Sequence, residues 1–80
     1  MVRTKRRLEI IDGMKESLAK EIAFDADLHG WTQNEIAGLT GLSQSDVSLL
    51  LRGQKLSRFT IDRLLMILII FGHKPTISIA

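Results

Sequence analysis

Cysteine is absent from this 80-residue chain, which excludes a disulfide framework and a thiolate metal site together. The absence suits a reducing compartment, and a cytoplasmic protein is expected. Long apolar runs are missing too. The longest, from Leu64 through Phe71, falls far short of the roughly 20 residues that a bilayer span requires. The basic N-terminus leads into Leu8-Glu9-Ile10-Ile11-Asp12, where acids interrupt what would have to be the apolar core of a signal peptide. A soluble protein with no membrane role is expected. Catalytic patterns are lacking as well: there is no glycine-rich phosphate loop, no serine set with a histidine and an acid in a recognisable spacing, and His29 and His73 are the only histidines. An enzyme is therefore not expected, and neither is a cofactor. Asp25, Asp27 and His29 invite a metal reading. Residues two apart on a helix point in different directions, however, and no second patch of ligands accompanies them. They are read as a solvent-facing charge set, with no metal.

What is present is charge, unevenly placed. The net charge is only +2. Yet Arg3, Lys5, Arg6 and Arg7 crowd the start of the chain, and Arg52, Lys55, Arg58, Arg63 and Lys74 lie from residue 52 onward, opposed there by Asp62 alone. Between them, residues 8–51 carry eight acids against Lys15 and Lys20. Such segregation lets basic ends face phosphates while an acidic first helix faces away, as electrostatic steering needs. A solvated surface of mixed charge would read the same way. The length allows one domain and is too short for two. A chain this small buries a limited share of its surface, so a partner subunit is a natural way to complete the core.

The most informative stretch is residues 32–53, Thr-Gln-Asn-Glu-Ile-Ala-Gly-Leu-Thr-Gly-Leu-Ser-Gln-Ser-Asp-Val-Ser-Leu-Leu-Leu-Arg-Gly. Twice a hydroxyl residue is followed three positions later by an acid, Thr32 by Glu35 and Ser43 by Asp46, the pattern of a helix N-cap whose third residue reaches back to the cap. Ile36, Ala37 and Thr40 share one side of the first helix; Val47, Leu50 and Leu51 fall at helical spacing in the second. Gly41-Leu42 leaves room only for a tight turn. Two short helices joined so steeply make a helix-turn-helix, whose second helix is the usual reader of a DNA major groove. With Val47 and Leu50 facing the core, Gln44, Ser45, Ser48 and Arg52 face outward. Gln44 can make a paired hydrogen bond to adenine, whereas serines discriminate poorly. Arg52, at the far end of that helix, suits a phosphate. Lys55 and Arg58, in and after the following loop, are candidate backbone clamps. Leu49 either presses on a thymine methyl or packs against neighbouring protein.

The remaining elements follow from periodicity. Residues 1–7 are expected to be a basic arm, with residues 8–11 a short extended segment and Gly13 a break, so that residues 1–12 precede a domain of residues 13–80. Helix 1 is expected over residues 14–29, its stripe formed by Met14, Leu18, Ile22 and Ala26. Trp31 is expected to staple the start of the next helix and pack in the core. The helix of residues 33–40 is followed by one over residues 44–52 and a last one over residues 58–71, opened by Ser57. Because residues 64–71 are apolar all round, part of that helix is expected in a subunit interface. Lys74-Pro75-Thr76-Ile77-Ser78-Ile79-Ala80 alternates like a short strand that needs a partner strand, from a second copy or from residues 8–11. His73 is expected in a surface turn.

Residues 31–53 resemble the DNA-binding unit of the Xre/Cro-type repressor family. The continuation Leu56-Ser57-Arg58-Phe59-Thr60-Ile61-Asp62-Arg63-Leu64-Leu65 up to Gly72 is similar to the small HigA-like antitoxin regulators, the likeness extending over residues 18–79. The resemblance implies an all-α, lambda-repressor-like helix-turn-helix domain of about four helices with a short C-terminal β-strand. It also implies a homodimer on a palindromic operator in double-stranded DNA, repression of its own operon, and a HigB-like toxin as partner. In that family the residue at the place of Gln33 touches the DNA backbone and braces a side chain of the recognition helix, and Gln44 takes that helix's first position. Related stand-alone and phage-type regulators share these residues, and a helical interaction module that has lost DNA binding is the other alternative.

Overall fold

The structure, a computed structural model, describes the backbone of residues 2–72 and the side chains of residues 7–72. The expected strand of residues 74–80 and His73 lie outside the described residues. Among the described residues four α-helices follow in order: α1 (Val2–His29), α2 (Gln33–Thr40), α3 (Gln44–Leu51) and α4 (Ile61–Ile70), with a 3-10 turn, Leu56–Arg58, between the last two. Among the described residues there is no strand.

The first helix corrects the expected beginning of the chain. The arm, the extended segment at residues 8–11 and the break at Gly13 are replaced by one unbroken helix of 28 residues. Arginine, lysine, leucine and glutamate all favour helix, and a single interior glycine costs only about 1 kcal/mol relative to alanine. Four apolar-rich residues were too few to separate a strand from a helix on pattern alone. The inner stripe also shifts. Ala19, Ile22 and Ala26 are buried, while Met14 is 43% exposed. Asp25, read as solvent-facing, is buried at 4% exposure; it stands three residues after Ile22 and therefore on the same face.

The capping residues set the next boundaries. At the start of α2 the Thr32 hydroxyl accepts from the Glu35 backbone N–H while the Thr32 N–H donates to the Glu35 carboxylate, both at 3.1 Å, so the reciprocal cap is complete. At the end of α2, Gly41 takes a left-handed conformation (φ +76°), with its N–H on the Ala37 carbonyl at 2.9 Å. A side chain there would be strained. Thr40 fastens the turn from inside: its hydroxyl donates to the Ile36 carbonyl at 2.8 Å and accepts from the Leu42 N–H at 3.3 Å. Ser43 then caps α3 through the Asp46 N–H at 3.2 Å.

Helix α3 ends one residue earlier than the pattern suggested. Arg52 follows it in a right-handed conformation, and Gly53 (φ +67°) supplies the left-handed residue. Gly53 donates to the Leu50 carbonyl at 3.0 Å and Gln54 to the Leu49 carbonyl at 2.8 Å, the paired closure that satisfies the last carbonyls of a helix. The last helix starts later than expected. Ser57 is not its cap; it sits in the 3-10 turn, and the Thr60 hydroxyl accepts from the Arg63 N–H at 3.1 Å to open α4. Phe59 between them is buried.

One core gathers these elements. Ile22 of α1, Ile36 of α2, Val47 and Leu50 of α3, and Leu64 and Leu68 of α4 are fully buried, each such burial contributing about 1.5–3 kcal/mol before entropy is counted. Trp31, half-buried, meets Phe71 edge-on at 4.5 Å and stacks with His29 at 4.6 Å. Trp31 thus packs against the residue that follows α4, and no ring contact with α2 accompanies it among the described residues. On that helix Leu64, Ile67, Leu68 and Phe71 face inward, whereas Met66, Ile69 and Ile70 stay 56, 54 and 41% exposed.

Candidate nucleic-acid interface

Burial of Val47 and Leu50 fixes how α3 is turned. Successive residues of a helix advance by roughly 100°, so Gln44, Ser48, Arg52 and Ser45 fall within one outward arc. Gln44, Ser45 and Arg52 are exposed, and Ser48 is half-buried. Leu49, at the edge of the same arc, is half-buried. Gln33, Lys55 and Arg58 are exposed as well. The caps explain why this face is presented intact, because the turn of residues 41–43 is held by Thr40 on one side and Ser43 on the other.

Within the face, Gln44, Ser45 and Arg52 each have a local tether. Gln44 donates through Nε2 to the Asn34 side-chain oxygen, joining the first turn of α3 to the first turn of α2. Here the structure departs from the resemblance, which gave the brace to Gln33; Asn34 carries it. The signal was the cap. With Thr32 as N-cap, Gln33 and Asn34 are the first two helical residues and stand about 100° apart, so only one can turn toward α3. The Ser45 and Ser43 hydroxyls lie 3.2 Å apart. Arg52 folds back, its Nε donating to the Ser48 carbonyl at 3.2 Å.

Arg58 stands differently from the free clamp expected of it. Its Nη2 is 3.2 Å from Asp46 Oδ1, an ion pair without the alignment of a good hydrogen bond. Asp46 therefore does not complete the second reciprocal cap that the sequence suggested; its carboxylate turns to Arg58 instead. Lys55 holds a left-handed backbone (φ +51°), unusual for a residue with a Cβ. It stands at the loop apex immediately before the 3-10 turn, with its side chain exposed.

Other chemistry finds little support in the site. Among the described residues no three histidines or acids lie close enough to hold a metal ion. A groove of about 320 Å³ between α1 and the end of α3 is lined by Glu16, Lys20 and Arg52 with Ala19 and Ala23; it offers opposed charges and no nucleophile. No described helix is long and apolar enough to cross a membrane.

A family model described as a helix-turn-helix domain matches residues 5–80, nearly the whole chain. The chain belongs to this helix-turn-helix family. No curated protein and no solved structure matches it. Membership places the protein among DNA-binding helix-turn-helix domains. This accords with the two capped helices and the tight turn between them.

Proposed function

We propose that this helix-turn-helix protein is a cytoplasmic, sequence-specific DNA-binding repressor that acts as a homodimer on a palindromic operator. The observation that carries the reading is the outward face of α3: Gln44, Ser45 and Arg52 stand exposed on a helix whose opposite side is locked by fully buried Val47 and Leu50. In this reading Gln44 and Ser45, at the N-terminal end that points at base edges, read sequence. Gln33, Ser48, Arg52 and Lys55 serve the backbone, which positions the protein without specifying sequence, and Arg58 can join them once it is freed from Asp46. The exposed Met66, Ile69 and Ile70 of α4 are the apolar surface for the second subunit. A two-fold dimer presents two α3 helices to successive major grooves.

Within that class we favour an antitoxin that represses its own operon and binds a HigB-like toxin. The support is the resemblance over residues 18–79, above all the run from Leu56 to Leu65. A small basic ribonuclease-like reading frame beside the gene supports the antitoxin role; a phage or metabolic neighbourhood favours a stand-alone regulator.

The test uses a duplex selected by the wild-type protein from a randomised library and a random duplex as control. Replacing Gln44 and Ser45 together by alanine is expected to cost roughly 1–3 kcal/mol on the selected duplex and much less on the control. Equal losses on both would reduce these residues to positioning contacts, and the absence of any selected sequence would leave an interaction module.

A further inference from the structure

We propose that the outward face of α1 is a second self-association surface, on which α1 of another copy of this chain packs antiparallel. The surface is distinct from the apolar residues of α4 assigned to the operator dimer, and it joins two such dimers. Only its consequence on DNA rests on the reading of α3.

Ile10, Met14, Ser17, Glu21, Phe24 and Leu28 follow one another along α1 in alternating steps of four and three, the spacing of a coiled-coil seam. All six are exposed. Because a helix turns by roughly 100° per residue, they line one strip, turned away from the buried Ile22 and Ala26. Phe24 and Leu28 are 65 and 68% exposed, more than any other large apolar side chain described. The strip has apolar ends and a polar middle, so it reads the same from either end. Laid antiparallel on its own copy about a two-fold axis at residue 19, it sets Ile10 on Leu28, Met14 on Phe24, and the Ser17 hydroxyl, a donor, on the Glu21 carboxylate. A parallel pair in register would set Glu21 on Glu21 and the cations of residues 3–7 on one another. The antiparallel pair instead brings that basic end toward the end that carries Glu21 and Asp27, and it opposes the two helix dipoles. Four large apolar side chains a copy are few beside the roughly 20–30 residues a side of a stand-alone interface. The contact is therefore weak in dilute solution and gains where dimers stand side by side, as on a duplex with two operators.

The chain has no cysteine of its own, so disulfide trapping reads the register directly. Met14→Cys and Phe24→Cys, both at exposed positions, are mixed and oxidised without DNA over a range of protein concentrations. A disulfide needs Cα atoms within about 7 Å; in a parallel pair in register, residues 14 and 24 stand about 15 Å apart along the axis. The 14–24 disulfide is expected to exceed the 14–14 and 24–24 products. Leu28→Glu, added to both chains, should remove it while helical circular dichroism stays unchanged. On duplexes carrying two copies of the selected site over a series of spacings, the second dimer is expected to bind at least about fivefold tighter at the best spacing than on a single site. Leu28→Glu should abolish that gain and leave single-site affinity as it was. Predominant 14–14 and 24–24 products, or no disulfide at any concentration, would overturn the proposal and leave α3 as the reader. Absence of cooperativity at every spacing, or cooperativity that survives Leu28→Glu, would overturn the joining of dimers. A wild-type protein that selects no sequence would overturn the reading of α3 while the trapping result stood.

Discussion

Replacing Asp46 by asparagine should make this protein bind DNA more tightly and more salt-dependently, while making it less stable. Asp46 neutralises Arg58 at 3.2 Å, with the two side chains 23 and 53% exposed. An ion pair this open to water contributes about 0–1 kcal/mol. Asp46 also lies in the first turn of α3, where a carboxylate gains about 0.3–1 kcal/mol from the helix dipole. The N-cap survives the change, because the Ser43 hydroxyl bonds the backbone N–H of residue 46. The expected loss is therefore about 0.5–1.5 kcal/mol, or a fall of roughly 2–12 °C in Tm for a domain of this size. On DNA the sign reverses. A released Arg58 is free to meet a phosphate, and one further phosphate contact steepens the slope of log K against log salt by about 0.9. Between 50 and 200 mM salt the variant should lose about 3.5-fold more affinity than the wild type. Fluorescence anisotropy on the selected and the random duplex reads both quantities, and the gain should be equal on the two, since phosphates carry no sequence. An unchanged slope, or a steeper slope on the selected duplex only, would refute the idea that Asp46 holds Arg58 back from the backbone.

Two further outcomes are expected. Lys55→Gly relieves a left-handed backbone and should stabilise the fold by about 0.5–1 kcal/mol in chemical denaturation; removal of the cation should at the same time make the salt slope shallower by about 0.9. Opposite signs on stability and DNA binding are the signature, and a loss of both would place Lys55 elsewhere than at the backbone. Ile69→Glu, at a position 54% exposed in the subunit, should shift the protein toward monomer in sedimentation without disturbing its helical circular dichroism. An unchanged mass would move the dimer interface away from α4.

The middle of the chain was legible because its signals are local. Thr32 with Glu35, Ser43 with Asp46 and the glycines at 41 and 53 act within a few residues of themselves. Val47 and Leu50 then follow from helical spacing once the cap is known. The flanking elements depend on contacts across the fold, which a linear pattern does not carry. Residues 8–11 are helical although Gly13 stands beside them, and no short-range signal distinguishes that outcome from an extended segment. Asp25 is polar and lies on the inner stripe of α1, so composition placed it outside while geometry puts it inside. Thr60 and Ser57 are both plausible caps; the buried Phe59 between them decides for Thr60, because the 3-10 turn must close before α4 can begin. In the site, the partner of Asp46 and the brace on Gln44 were both misread for one reason. Each is a choice between two nearby side chains, settled by the angle at which separate elements meet.

The lone indole has a practical use. Trp31 touches His29 on one side and the Phe71 ring on the other, so its emission reports whether the end of α4 is docked beside the end of α1. Neither Trp31 nor these neighbours belongs to the α3 face that meets the duplex. Intrinsic fluorescence can therefore follow unfolding of every variant described above without a label and in the presence of nucleic acid, which separates loss of fold from loss of grip in a single cuvette.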